Sequence, residues 1–289
     1  MSISFFADCT VLITGASAGI GREFARQLAP AVSTMILVAR RSERLEALEL
    51  ELKIINPALE VFTRQLDLRD HAALEKFCDW LSESGLAVDL LINNAGLGDL
   101  GQFIDSQWER VNAMLQVNIE SLTFLTYRIL PSMQKSGCGA ILNVSSIVGL
   151  MPAVPHAAVY AATKAYVASF SEALRAELRG ANISVTAVHP GPVPTEFFDV
   201  AGRAHQLPAS SRAQKFFSVP VQEVVRRALD GVSQDKARVI PGTWVQLAMA
   251  AGAFIPMFIK RLFLNAHAAR MAKSAASPAH PVYETSGTV

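Results

Sequence analysis

Short apolar runs of strand length alternate along the chain with longer stretches in which apolar residues recur every three or four positions. This alternation is typical of β–α–β units that feed a parallel sheet. Most of the short runs are continuous in Val, Ile and Leu, as expected for strands that are covered on both faces. The predicted strands are Cys9–Thr14, Thr34–Ala39, Glu60–Leu66, Val88–Asn93, Ala140–Ser145, Ser184–His189 and Arg238–Pro241.

The stretches between these strands carry the spacing of amphipathic helices. The predicted helices are Ile20–Ala29, Ser42–Ile54, Ala72–Glu83, Trp108–Met133 and Val159–Arg179. We therefore expect an α/β fold of the Rossmann type, with a doubly wound parallel sheet of about seven strands, helices on both faces and a C-terminal helical extension. Open sheets of this kind bind ligands beyond the carboxyl ends of their strands.

The length of 289 residues fits one large α/β domain, which we expect over residues 1–242. An apolar helical extension is predicted over 243–273, packed on or near the ligand site, and a mobile tail over 274–289. The uncharged run Trp244–Ile259 is shorter than the ~20 residues that span a bilayer, and Gly252 and Pro256 interrupt it. A buried or interfacial helix is the favoured interpretation, and weak peripheral membrane contact is the alternative.

Charge and cysteine content narrow the class of function. The 26 basic and 25 acidic residues leave a net charge of +1, so no overall field attracts nucleic acid, and none is expected as a partner. The three cysteines are odd in number and lack C-x-x-C spacing, which argues against a disulfide framework or a metal site. The N-terminus lacks the basic region of a signal peptide, so a cytoplasmic protein is expected.

A glycine-rich turn directly follows the first predicted strand and precedes a helix. Gly15, Gly19 and Gly21 stand in G-x-x-x-G-x-G spacing, where they permit a tight turn and let the backbone approach a pyrophosphate at the helix N-terminus. The sequence thus predicts a dinucleotide site, which also includes the intervening residues Ser17, Ala18 and Ile20.

The second strand ends in Arg40 and Arg41, where an acidic residue would bind a ribose 2′-hydroxyl. Arginine there accommodates a 2′-phosphate, so NADP(H) is favoured over NAD(H). The alternative is that both arginines are solvated surface charges.

Tyr160 and Lys164 begin a strongly helical stretch, and their four-residue spacing places them on one helix face. A neighbouring ammonium favours the phenolate, so Lys164 is expected to lower the pKa of Tyr160 toward the range of a useful acid or base. Ser145 and Ser146 end the fifth strand at the same sheet edge, where a hydroxyl could donate to a substrate carbonyl. His156 could contact substrate or lie in a loop, and the loop is favoured.

Several motifs in order resemble the short-chain dehydrogenase/reductase family over residues 8–240. They are TGASAGIG, Asp67-Leu68, NNAG, QVNIES, NVSS, YAATK and HPGPVPT. The resemblance implies that Tyr160 is the general acid/base, that Lys164 lowers its pKa and holds the nicotinamide ribose, that Ser146 orients the carbonyl and that Asn118 supports a proton relay. It further implies cofactor contacts from Asp67, Leu68, Asn94, Ala95, Gly96, Pro190, Gly191, Val193 and Thr195.

One departure from the family pattern concerns the active serine. Ser146 lies 14 residues before Tyr160, one more than is usual in the family, which leaves Ser145 as the alternative. Ser146 is preferred because the residues after it align with those that follow the family's active serine.

The resemblance implies an NADP(H)-dependent oxidoreductase that interconverts a ketone or aldehyde and its alcohol by hydride transfer. Four phenylalanines in Glu196–Pro220 suggest an apolar substrate such as a steroid, acyl or aryl ketone, and core packing is the other interpretation. A homodimer or homotetramer is expected by analogy. The competing function is a non-catalytic NADP(H)-binding regulator or interaction protein.

Overall fold

The computed structural model describes residues 3–197, 201–202, 218–253, 255–256, 258–259 and 261–262. The chain forms two compact units, residues 1–248 and residues 249–289. The predicted domain boundary at residue 242 stays a prediction, and the predicted tail over 274–289 lies outside the described residues.

The first unit is built around a parallel sheet of seven strands, which confirms the predicted fold class. The strands lie in the spatial order β3-β2-β1-β4-β5-β6-β7. Their bounds are β1 Thr10–Thr14, β2 Thr34–Ala39, β3 Glu60–Gln65, β4 Leu90–Asn93, β5 Gly139–Val144, β6 Ile183–Val188 and β7 Arg238–Val239. The seventh strand is shorter than predicted because it ends before Pro241, which has no N–H to extend the ladder.

Helices cover both faces of this sheet. Their bounds are α1 Gly19–Leu28, α2 Ser42–Ile55, α3 His71–Glu83, α4 Trp108–Leu115, α5 Leu122–Ser136, α6 Ala158–Glu177 and α7 Val221–Ser233. A further helix, α8 Thr243–Ala253, follows β7 in the chain. Short 3₁₀ helices occupy Ile3–Phe6, Phe103–Asp105 and Ile147–Leu150. No helix in these described ranges is long and apolar enough to cross a membrane.

The core consists of two buried apolar clusters, one on each face of the sheet. Phe24 of α1, Leu48 of α2 and Val225 of α7 pack in the first cluster. Phe77 of α3, Leu125 of α5 and Leu174 of α6 pack in the second cluster. Successive strand residues alternate between the two clusters, because side chains of a strand point to opposite faces.

The predicted helix Trp108–Met133 is wrong in one respect, because a π turn over Gln116–Ser121 separates α4 from α5. Such turns insert a residue into the helical hydrogen-bond pattern and are frequent at functional sites. Apolar spacing does not reveal an insertion of this size. The π turn contains Asn118, whose side chain bonds to a neighbouring loop.

The strand order reverses at β1, which lies between β2 and β4. In open α/β sheets this is the point where a crevice opens beyond the carboxyl ends of the strands. The glycine-rich turn follows β1, and Asn94 to Gly96 follow β4. The topology therefore brings these two predicted cofactor segments together at one edge of the sheet.

The buried face of α2 provides a matched test of the core. Leu52 is fully buried, whereas Leu50 on the same helix is 69% exposed. Leu52→Ala should lower the free energy of unfolding by about 2–5 kcal/mol, because it leaves a cavity in a packed core. Leu50→Ala should change it by less than about 0.5 kcal/mol. Urea denaturation measures both values, and equal effects would contradict the assigned orientation of α2.

Candidate active site

A cleft of about 530 Å³ opens at the carboxyl edge of the sheet. Its walls come from the segments after β1, β2, β3, β4, β5 and β6, together with the first turns of α6. All the predicted site residues except Gly21 and Asn118 line this cleft. They are Gly15, Ser17, Ala18, Gly19, Ile20, Arg40, Arg41, Asp67, Leu68, Asn94, Ala95, Gly96, Ser146, Tyr160, Lys164, Pro190, Gly191, Val193 and Thr195.

The glycine-rich turn has the geometry of a phosphate cradle. Gly15 and Gly19 have φ values of +68° and +53°, which favour glycine. A Cβ on Gly21 would lie 2.3 Å from the carbonyl oxygen of Gly15, so no side chain fits there. Ala18 at the N-cap of α1 provides no side-chain hydrogen bond. The first amides of the helix therefore remain available to an anion, as a pyrophosphate requires.

Hydrogen bonds hold the segment after β4 against this turn. The hydroxyl of Thr14 accepts from the backbone N–H groups of Asn94 and Ala95, both at 3.0 Å. The Asn94 side chain donates to the carbonyl oxygen of Thr14 at 2.9 Å. A Cβ on Gly96 would lie 3.3 Å from Nζ of Lys164, so this segment passes close to the buried lysine.

Two further charged residues, which the sequence reasoning missed, join the arginines after β2. Glu196 accepts from Nη1 of Arg41 at 3.2 Å and from Nη1 of Arg44 at 2.7 Å. Nη2 of Arg41 donates to Oγ of Ser17 at 3.4 Å. Hydrogen bonds from Arg44 and, to a smaller extent, from Arg41 lower the pKa of Glu196. Arg41 therefore spans from the glycine-rich turn to the loop after β6.

Arg40 and Asp67 occupy the opposite side of the same end of the cleft. Both line the cleft, and the Arg40 side chain is exposed. Asp67 accepts hydrogen bonds from Arg69, which lower its pKa, and the charge of Arg40 adds a smaller effect in the same direction. Positive charge from Arg40 and Arg41 thus flanks the position beyond the second strand.

Lys164 is buried beneath the cleft. Its Nζ donates to the carbonyl oxygen of Val144 at 2.8 Å and lies 5.9 Å from the ring centroid of Tyr160. Burial lowers the pKa of Lys164 to about 8. A burial-induced shift of this direction is the ordinary response of a lysine removed from water.

Tyr160 behaves differently from the expectation that Lys164 lowers its pKa. Burial raises the pKa of Tyr160 to about 12, and a hydrogen bond with Ser146 opposes this only in part. The cause is that a desolvated phenolate is unfavourable, and this effect outweighs the neighbouring groups. Tyr160 therefore carries its proton at neutral pH in this structure.

The two candidate serines occupy distinct environments. Ser145 is buried, and its hydroxyl donates to the carbonyl oxygen of Lys164 at 2.8 Å. Ser146 is half-buried and bonds to Tyr160. Its Oγ makes two long contacts, to the carbonyl oxygen of Pro190 and to the N–H of Val148, both at 3.4 Å. This geometry favours Ser146 over Ser145 as the hydroxyl beside Tyr160.

Asn118 lies behind the cleft wall and is 1% exposed. Its Oδ1 accepts from the N–H of Leu97 at 2.8 Å, and its Nδ2 donates to the Leu97 carbonyl and to Oγ1 of Thr163, both at 2.9 Å. The amide thus ties the loop after β4 to α6. The predicted role of Asn118 in a proton relay stays a prediction.

The end of the cleft beside Tyr160 is apolar. Leu97, Leu100, Val148 and Val154 form part of its wall. The ring of Phe197 lies 5.5 Å from the ring of Tyr160, centroid to centroid. Of the four phenylalanines predicted to matter here, the structure describes this one, and the other three lie outside the described residues.

The loop after β6 reaches the end of the cleft beside the glycine-rich turn. Thr195 lies against Gly19, since a Cβ there would be 3.3 Å from Cγ2 of Thr195. The N–H of Ile147 donates to the carbonyl oxygen of Pro190 at 3.1 Å, which joins this loop to the one after β5. Across the described residues, no group of three or more His, Cys, Asp or Glu side chains is placed to hold a metal ion.

Known proteins resemble this chain in sequence and in fold. A family model described as short chain dehydrogenase matches residues 9–205. Sulfoacetaldehyde reductase 2 of Chromohalobacter salexigens is 41% identical over 192 residues, which cover 65% of this chain and 73% of that protein. A solved short-chain dehydrogenase from Sphingobium yanoikuyae, in complex with NADPH, is 31% identical with a TM-score of 0.72 and covers 96% of this chain and 99% of its own. The bulky-bulky ketone specific alcohol dehydrogenase from Comamonas testosteroni is 27% identical with a TM-score of 0.68, covering 96% and 97%.

His189 makes the stability of the site region depend on pH. Its side chain is buried, and burial lowers its pKa to about 4. An unfolded chain would bind this proton near pH 6.5, so stability is lost as the pH falls from about 6.5 to about 4. We expect a loss of about 3 kcal/mol from this residue, measured by urea denaturation across that range. His189→Gln should flatten the slope, whereas His71→Gln on the surface should not. An unchanged slope in the His189 variant would be inconsistent with the buried neutral imidazole.

Proposed function

Because the chain belongs to the short-chain dehydrogenase family, we propose that it interconverts a ketone or aldehyde and its alcohol by hydride exchange with NADP(H). The observation that carries this proposal is the grouping of Ser146, Tyr160 and Lys164 in one cleft with the glycine-rich turn. That grouping puts a proton donor, a hydroxyl and a buried ammonium beside a site shaped for pyrophosphate.

The described residues fit a dinucleotide. The glycine-rich turn and the free amides of α1 would hold the pyrophosphate, and Asp67 and Leu68, which line the same cleft, would contact adenine. Arg40 and Arg41 would bind a 2′-phosphate, and a solved relative contains NADPH. We therefore propose NADP(H) as the cofactor, with Asn94 to Gly96 and Pro190 to Thr195 lining the rest of its site.

When bound, NADPH supplies the hydride that reduces the carbonyl carbon. Tyr160, which is protonated at neutral pH, would donate its proton to the carbonyl oxygen. Ser146, which bonds to Tyr160, would orient that oxygen. Lys164 would place positive charge beneath the site and, beside Gly96, would hold the nicotinamide ribose.

We propose an apolar carbonyl compound as the substrate. The substrate would bind at the end of the cleft beside Tyr160. The wall there is apolar and includes Leu97, Leu100, Val148, Val154 and Phe197. Relatives differ here, since one is named for a bulky ketone and another for sulfoacetaldehyde. The described wall carries no arginine or lysine at this end to bind a sulfonate, which favours the bulky-ketone type of substrate.

The competing function, a non-catalytic NADP(H)-binding regulator, has less support. A binding module needs no protonated tyrosine beside the nicotinamide position, and Tyr160 is buried at some cost to its ionisation.

We also propose a homo-oligomer, because Trp108 and Tyr127 expose large apolar side chains on α4 and α5. The cysteine thiols carry no disulfide, in keeping with the proposed cytoplasmic location.

The fall in NADPH absorbance with aliphatic, aryl and steroidal ketones and aldehydes tests the proposed function. Turnover with at least one apolar carbonyl compound is expected, and with NADPH in preference to NADH. Tight NADPH binding without turnover across the whole panel would favour the regulator instead.

Tyr160→Phe removes the proton donor and keeps the ring. We expect kcat to fall by about 10²–10⁴-fold, the usual contribution of general acid catalysis, while the NADPH dissociation constant changes little. Tyr127→Phe, at an exposed position outside the cleft, is the matched control and should retain full activity. A fully active Tyr160→Phe enzyme would refute the assignment.

Arg40→Asp reverses the charge beside the proposed 2′-phosphate. The ratio of the NADH to the NADPH dissociation constants should fall by at least about tenfold, because a carboxylate repels the phosphate and accepts from a ribose hydroxyl. Arg179→Asp, exposed and outside the cleft, should leave the ratio unchanged. Fluorescence titration of both dinucleotides measures it, and an undiminished preference for NADPH would mean that Arg40 does not contact the phosphate.

A further inference from the structure

His156 occupies a backbone position that ordinarily selects another residue. It is the third residue of a tight turn over Val154–Ala157, in which the N–H of Ala157 donates to the carbonyl oxygen of Val154 at 3.2 Å. Pro155 precedes it, and His156 has a φ of +64°. Gly or Asn is the usual residue at the third position of a turn with positive φ.

The backbone role of His156 does not require a side chain. Its carbonyl oxygen accepts from the N–H of Gly101 at 2.8 Å, which ties the loop after β4 to the loop before α6. Glycine would make the same hydrogen bond and would adopt this conformation without strain. A strained residue at a site wall points to a role for its side chain.

His156 lines the cleft together with its neighbours Val154 and Tyr160, and it is half-buried. Among the described residues that line the cleft, the titratable ones besides His156 and Tyr160 are Arg40, Arg41, Asp67, Lys164 and Glu196. The four other than Lys164 lie at the adenine and 2′-phosphate end, and Lys164 is buried below the nicotinamide position. The wall next to Tyr160 is otherwise apolar. Among its described residues, His156 is the one titratable group besides Tyr160 itself.

Among the residues that the structure describes, none forms a hydrogen bond or an ion pair with the imidazole of His156. A polar ring in an apolar wall gains most when a ligand completes its hydrogen bonds. An N–H donor is present in both protonation states of imidazole, whereas a nitrogen acceptor exists only in the neutral state. The ligand group that suits His156 at every pH is therefore an oxygen acceptor.

We propose that His156 determines substrate specificity by donating a hydrogen bond to a second oxygen of the substrate. The preferred substrate class is then a ketone or aldehyde that carries an ester, carboxylate or second carbonyl oxygen on an apolar body. This proposal rests on the proposed function, because Tyr160 and the imidazole must engage the same molecule. His156 lies four positions before Tyr160 in the sequence, and the hydrogen bond from Gly101 fixes the turn that holds His156.

Three ketones with equal numbers of heavy atoms test the proposal: 2-heptanone, methyl acetoacetate and the 3-oxopentanoate anion. The second oxygen is absent from the first, belongs to an ester in the second and to a carboxylate in the third. We expect the wild-type enzyme to show a kcat/KM for at least one oxygen-bearing ketone about tenfold above that for 2-heptanone, the effect of one hydrogen bond. The arms also distinguish an ester from a carboxylate as the source of the oxygen.

Four variants separate recognition from structure. His156→Phe keeps a flat ring without the donor, and His156→Gly removes the ring and relaxes the turn. Both should lower kcat/KM for the oxygen-bearing ketone by about tenfold and leave that for 2-heptanone within about twofold. His156→Asn tolerates positive φ and keeps a donor, so it should retain part of the preference. His71→Phe, outside the cleft, should match wild type.

The outcomes are separable. Turnover of 2-heptanone without any wild-type preference, or a preference that survives in His156→Phe, overturns the role of His156 and leaves the proposed function standing. If His156→Gly lowers kcat/KM equally for all three ketones and also lowers the thermal denaturation midpoint, the imidazole has a structural role. This result also overturns the proposed role of His156 in specificity. Absence of turnover with every ketone overturns the proposed function and this inference together.

Discussion

The positions of the side chains in the candidate active site depend on the close packing of α6 against the end of β5. Lys164 donates from its buried Nζ to the carbonyl oxygen of Val144, and Ser145 donates to the backbone carbonyl of Lys164. A Cβ on Gly149 would lie 2.5 Å from the backbone of Lys164, so the helix and the 3₁₀ turn are in direct backbone contact. This packing places Ser146 and Tyr160 on the same side of the cleft.

That packing is maintained against an electrostatic penalty. Burial lowers the pKa of Lys164 to about 8, so its charged form opposes folding by about 3 kcal/mol at neutral pH. Burial also raises the pKa of Tyr160 to about 12. The molecule therefore holds a protonated phenol beside a hydroxyl, over a buried ammonium, and apolar packing elsewhere compensates for the cost. Perturbed groups that converge in a cleft are characteristic of catalytic sites.

Much of this arrangement follows from local pattern, and the remainder depends on contacts that no local pattern encodes. Continuous apolar strands and the strand–glycine turn–helix order predicted the sheet and the cofactor cradle. The π turn at Asn118 could not be predicted, because one inserted residue barely alters apolar spacing. The bond between Arg44 and Glu196 joins residues 152 apart in sequence. The direction of the Tyr160 pKa shift required burial, which spacing from Lys164 does not supply.

Transfer of a labelled hydrogen from NADPH to a ketone is the most direct test of the proposed hydride-transfer activity. The purified protein would be incubated with an apolar ketone and NADPH carrying deuterium at both C4 positions, and the alcohol product would be analysed by mass spectrometry. We expect one deuterium on the carbon that bore the carbonyl group, because the hydride moves directly from the cofactor to that carbon without exchange with water. Product without deuterium, or no product although NADPH binds, would contradict it.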